Sequence, residues 1–130
     1  RDFVRRIFEE GWNGGSFECL EGATAPSVLM HYNGASMRVT PDSLPHLVGE
    51  WRSAFPDLEM RIRHLVADGD LVAASLSVHG THRGDWRGLP ASGTVVAVEE
   101  MMFFRFEDGL LVEMWEVFDE AGMSAQLRGP

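Results

Sequence analysis

Thr94–Phe118 reads TVVAVEEMMFFRFEDGLLVEMWEVF. Two runs rich in β-branched, aromatic and Met residues, Thr94–Phe106 and Leu110–Phe118, flank Asp108-Gly109, a dipeptide that marks a tight turn between strands. We expect a three-residue loop, Glu107-Asp108-Gly109, with Gly in the left-handed position. That register pairs Phe106 with Leu110, Phe104 with Val112, Met102 with Met114 and Glu100 with Glu116. One face then carries Val96, Val98, Glu100, Met102, Phe104 and Phe106 against Val112, Met114, Glu116 and Phe118. Two carboxylates thus oppose each other on an otherwise apolar surface. The other face of Thr94–Phe106 is apolar as well, through Val95, Ala97, Met101 and Phe103.

Upstream, Leu58–Val66 and Asp70–His82 read as a second hairpin. A loop of Ala67-Asp68-Gly69 keeps Leu58, Met60, Ile62, Val72, Ala74, Leu76 and Val78 on one face, and it draws His64 toward that face as a core histidine. Asp2–Asn13 has helical spacing, with Asp2 as a cap and Gly14-Gly15 as the stop. A short helix over Ser16–Leu20 and a short strand over Ser27–Asn33 follow. Thr40-Pro41-Asp42 opens a helix whose stripe is Leu44, Leu47, Val48 and Trp51, ending before Pro56. Asp119 caps a last helix that carries Leu127. Helices followed by an antiparallel meander define an α+β class, with one domain over residues 1–130.

The charge balance narrows the partners. Twenty Asp and Glu stand against eleven Arg and no Lys, a net charge of −9 that repels phosphate backbones and anionic bilayers. We therefore expect neither nucleic acid nor a membrane as partner. No apolar run approaches the ~18 residues of a spanning helix. The single Cys19 excludes an internal disulfide and fits a reducing compartment; with no signal peptide read, the expectation is cytoplasmic.

For chemistry, the Glu100–Glu116 pair is the candidate. Opposed carboxylates in an apolar setting hold one proton between them, so that one can donate while the other accepts, a general acid–base site near neutral pH. The alternative is a solvated pair at the wet end of the sheet, neutralised by an Arg. His31, Tyr32 and Asn33 form a polar cluster that either orients a ligand oxygen or ties down a loop. Met102, Phe104, Met114 and Phe118 are the candidate apolar walls. No pair of His has metal-ligand spacing, and no phosphate loop or nucleophile elbow occurs, so neither metal nor cofactor is expected.

Thr81–Gly93 (THRGDWRGLPASG), the FRFEDGLLVEMWEVFDEAG that starts at Phe104, the opening FVRRIFEEGWNGGSFECLEG and the AFPDL at Ala54 resemble the SnoaL-like polyketide cyclase family, or ester cyclases, within the nuclear transport factor 2-like superfamily. The resemblance spans nearly the whole chain. It implies a cone-shaped fold, in which a curled, mostly antiparallel sheet and N-terminal helices enclose one pocket, and a homodimer formed through the sheet. It implies cofactor-independent aldol ring closure or isomerisation of a flat, apolar carbonyl substrate, with the acidic residue of the last strand falling on Glu116 and a pocket Asn on Asn33. The pocket His and Gln of the cyclases fall on Met102 and Glu100, two departures from their pattern. His82, a hallmark of the family, reads as structural. Two further readings stand beside ring closure: a binding module that does not turn its ligand over, and hydration of the kind carried out by the superfamily's epoxide hydrolases.

Overall fold

The structure, a computed structural model, describes residues 1–128. Its frame is a six-stranded sheet of β1 (Thr24–Tyr32), β2 (Ala35–Val39), β3 (Glu59–Asp68), β4 (Leu71–Thr81), β5 (Val95–Glu107) and β6 (Leu110–Phe118), in the order β2-β1-β6-β5-β4-β3. All neighbours are antiparallel except β1 and β6. Helices α1 (Asp2–Arg6), α2 (Ser43–Ala54) and α3 (Glu120–Arg128) complete it, giving the α+β class the sequence implied.

The alternation in β5 places the core. Val96, Val98, Glu100, Met102 and Phe104 are buried, whereas Val95, Ala97, Glu99, Met101 and Phe103 are exposed. The buried face receives the N-terminal helix, with Phe8 edge-on to Phe104 at 6.2 Å between centroids. It also receives α2, whose Trp51 meets Phe118 at 5.5 Å and Trp86 at 4.2 Å. Each such aromatic pair adds about 0.5–1.5 kcal/mol beyond its buried area.

Both hairpins close more tightly than the sequence reading expects. Glu107 pairs with Leu110, so the turn is the two residues Asp108 and Gly109, both left-handed at φ 50° and 78°. This is the pattern of a type I′ turn, whose twist matches that of the strands. Alone, that turn would put Glu116 opposite Met101, on the wrong face. An extra residue on β6, Val112, shifts the ladder between Arg105 and Phe106, so that Glu116 pairs with Met102 and Glu100 with Phe118. The two acids are therefore diagonal neighbours on one face and not directly opposed. Likewise Asp68 pairs with Leu71, and an extra residue at Arg63 returns Ile62 to the inner face, opposite Leu76 and not Ala74. Leu65, not His64, then faces Ala74, and His64 is exposed with Nδ1 at 2.7 Å from the Ser75 hydroxyl.

The helix starts differ as well. Asp2 makes no cap bond, and the N-terminal helix turns π-helical over Ile7–Trp12, with the Asn13 amide bonded to the Phe8 carbonyl. α2 begins at Ser43, because Thr40–Asp42 form a turn first, and Pro45 sits in its first turn, where no amide bond is lost. The Asp119 cap is present, with Oδ1 accepting from the Gly122 amide at 2.8 Å. Strand β2 lies in a stretch that the sequence reading left without an element.

Candidate active site

An apolar cavity of about 120 Å³ opens between the N-terminal helix and the inner face of the sheet. Phe8 and Trp12 close it on the helix side, Met30 lines it from β1, Met102 and Phe104 from β5, and Met114 from β6. Leu44 and the segment Val39–Pro41 border it. The period of two that buries Met102 and Phe104 also turns Glu100 and Glu116 inward, and both carboxyls line the cavity.

The two carboxyls are diagonal neighbours on adjoining strands, close enough to share a proton. Glu100 is 4% exposed. Burial pushes its pKa well above the ordinary carboxylate range, and the bond to Glu116 and the charge on it push the same way. Burial also raises Glu116, and the negative charge of Glu120 adds to this, while the hydrogen bond from Glu100 opposes it. Both carboxyls are raised by burial, and Glu100 is the more deeply enclosed, so its charged form is the more disfavoured of the two. The pair thus places two carboxyls of raised pKa side by side on the wall of an apolar cavity.

Beside it, Tyr32 pairs with Glu116 across the parallel β1–β6 ladder and donates its phenol hydrogen to Glu120 Oε1 at 2.6 Å. Burial and that acceptor hold the phenol above its usual pKa. Arg87 approaches the same Glu120 oxygen at 3.4 Å. The sequence reading grouped Tyr32 with His31 and Asn33 and gave Glu120 no role; neither Tyr32 nor Glu120 lines the cavity, but they bond to each other beside Glu116. The signal was available, because Val28, Met30 and Tyr32 share one face of β1 and only Tyr32 of the His31-Tyr32-Asn33 cluster can turn inward.

Three expected ligand contacts lie elsewhere. His31 is on the outer face, where it stacks on Trp115 and reaches Glu113 Oε2 at 2.7 Å. His31 and then Arg105 hold the Glu113 carboxyl below its usual range. Asn33 is consumed by backbone, donating to the Phe118 carbonyl at 3.0 Å and accepting from the Phe118 amide at 2.9 Å. Its positive φ of 45° makes it the first residue of the Asn33-Gly34 turn joining β1 to β2. Phe118 shares the face of Glu116 but packs under Trp51 and does not border the cavity. Of the candidate residues, Glu100, Glu116, Met102, Phe104 and Met114 line the cavity.

The Thr81–Gly93 segment explains itself structurally. His82 is 1% exposed, stacks on Phe55 and shares a hydrogen bond with Ser92 through Nδ1 at 2.9 Å. Gly84 packs onto the end of α2, where a Cβ would overlap the Ser53 carbonyl oxygen. Among the described residues no three His, Cys, Asp or Glu side chains gather as a metal site, and no helix is long and apolar enough to cross a membrane.

A mixed sheet that folds over helices around a cavity with inward acids defines the nuclear transport factor 2-like class. Within it, the family model of the SnoaL-like polyketide cyclases matches residues 2–127, and the chain belongs to that family. Solved structures agree. IdmH from Streptomyces antibioticus, which carries a provisional polyketide cyclase assignment, is 27% identical, with 98% of this chain and 96% of that one covered at a TM-score of 0.83. A protein from Acidithiobacillus ferrooxidans with the same provisional assignment is also 27% identical, covering 98% and 92% at 0.83. TsrD from Streptomyces laurentii is 26% identical, covering 98% and 96% at 0.79. No curated protein sequence matches this chain.

Proposed function

We propose that the chain is a cofactor-independent acid–base enzyme acting on a carbonyl compound, and the neighbouring Glu100–Glu116 pair on the cavity wall carries the reading. Glu116 takes a proton from the carbon next to the carbonyl. Glu100 gives its proton to the oxygen on which charge develops, either the enolate oxygen in isomerisation or the new alkoxide in an aldol ring closure. In ring closure the mutual hydrogen bond then returns the proton from Glu116 to Glu100; in isomerisation Glu116 delivers a proton to carbon while the enol hydroxyl gives its proton back to Glu100, so in both the pair ends as it began. Burial makes Glu116 a stronger base toward a carbon acid than a solvated carboxylate would be. Family membership supports ring closure as the reaction.

The hydration reading loses its second water-holding group, because both polar ends of the Asn33 amide are bonded to Phe118. A pure binding module has no use for two acids buried against each other at a cost to stability.

The test needs no natural substrate. Aryl methyl ketones incubated in D2O with the protein should exchange their α-hydrogens, followed by proton NMR. Glu116→Gln should slow that exchange by about 100-fold or more, the usual weight of a general base. Equal rates in the two proteins would refute the reading.

A further inference from the structure

Apart from the two acids, the cavity holds one sealed polar group that no protein atom uses. Thr24 lines the cavity, and its hydroxyl oxygen is buried without a hydrogen-bond partner. The other hydroxyl residues on the lining, Thr40 and Ser43, are exposed, and Ser43 donates to the Thr40 carbonyl at 2.6 Å. Leaving a hydroxyl buried and unbonded is unfavourable by enough that native structures rarely do so without a reason. An alcohol on the wall of a ligand cavity, unused by any protein atom, is free to pair with a polar group on the ligand.

Its place in the sheet says which end of the ligand that is. Thr24 pairs with Leu111 at the start of β6, and the Leu111 amide is fixed to the Ala23 carbonyl at 2.9 Å. Glu116 lies five residues further along the same strand, roughly 15 Å at the usual rise per residue. The two polar poles therefore stand at opposite ends of an apolar slot. The slot volume of about 120 Å³ sets the size of what lies between them. An apolar cavity of about 150 Å³ accommodates benzene, so a slot of this size takes one ring at most. A single ring bearing an oxygen at each end, with a hydrogen bond of about 2.8 Å at both, spans most of that length.

We propose that Thr24 is a specificity-determining residue, whose hydroxyl pairs with an oxygen on a one-ring substrate at the end opposite the carbonyl that meets Glu100 and Glu116. The orientation of the ligand rests on the acid–base reading above; the existence of the polar subsite does not.

The probes are acetophenone and 4-hydroxyacetophenone, which differ only in an oxygen at the far end of the ring. Protein NMR titration gives a dissociation constant for each. The wild-type protein should prefer the hydroxy compound by about tenfold, the usual worth of one buried neutral hydrogen bond with its desolvation. Thr24→Val keeps the shape and removes the hydroxyl. It should bring the two constants within about twofold of each other. Thr24→Ser should restore the preference. The free Thr24→Val protein should melt at the same or a higher temperature than wild type, because no protein partner is lost.

A preference that survives in Thr24→Val would overturn the proposal, as would its absence in the wild type. Failure of both ketones to saturate the cavity, or a lower melting temperature in Thr24→Val, would do the same. Absence of α-hydrogen exchange alongside a preference lost in Thr24→Val would sink the acid–base reading and leave the Thr24 subsite standing.

Discussion

Glu100 and Glu116 have the same functional group and nearly the same surroundings, yet their roles separate. Glu100 is the more deeply enclosed, so in the proposed reaction the proton starts there and Glu116 carries the charge. The pH dependence follows. An acid whose folded pKa lies above its unfolded value of about 4.3 binds more protons in the folded state, so stability is fully present below the unfolded pKa and falls as pH rises through the window up to the folded one. Glu100→Gln removes this loss. We expect that variant to match wild type in urea denaturation at pH 4 and to exceed it by about 1–3 kcal/mol at pH 8. The rate profile should change on the opposite side. Its acidic limb reports Glu116 losing a proton and its alkaline limb reports Glu100 losing one. Glu100→Gln should abolish the alkaline limb and lower the maximum rate, while the acidic limb persists; an alkaline limb that remains would assign it to another group.

At the scale of elements, the site depends on a turn and a bulge acting together. Asp108 and Gly109 both adopt left-handed backbone, and the extra residue Val112 then returns Glu116 to the face of Glu100. Gly109→Ala places a Cβ at φ 78° and should cost about 1–2 kcal/mol in chemical denaturation. Asn33→Ala removes two hydrogen bonds to the Phe118 backbone as well as a residue suited to φ 45°, and should cost about 2–3 kcal/mol. If Asn33 instead contacted substrate, the same variant would lose activity without losing stability. These elements also mark how far the sequence can be read. The faces of β4, β5 and β6 follow from alternation, because burial on one side imposes a period of two, and this was enough to place both acids. The register was not legible, since two-residue turns and bulges differ from a three-residue loop by compensating shifts that leave the faces unchanged beyond the bulge and alter them only between bulge and turn. β2 escaped notice although Asn33-Gly34 is a strong hairpin signal, because ASMRV has no buried residue and therefore no pattern to read. His31 and Asn33 were grouped with Tyr32 by proximity in sequence, whereas alternation sends them in different directions.

At the scale of the molecule, the outer face of the sheet raises the question of what covers it. Val66, Val95, Met101, Phe103 and Val117 are 61, 69, 59, 49 and 66% exposed. All five point away from the helices, which pack on the other face. We expect a homodimer that buries this surface, the occupant the family resemblance implies. Each copy has a net charge of −9, so association must overcome like-charge repulsion. The dimer should therefore tighten as salt rises and the Debye length shortens, the opposite of an assembly held by ion pairs. Light scattering at micromolar concentration in physiological salt should give twice the 14.5 kDa chain mass. Phe103→Glu adds a charge at the centre of the patch, on a side chain that is half exposed in the single chain, and should yield a folded monomer. A wild-type protein that scatters as a monomer at both low and high salt would refute the dimer. A Phe103→Glu variant that remains dimeric would move the contact off this face.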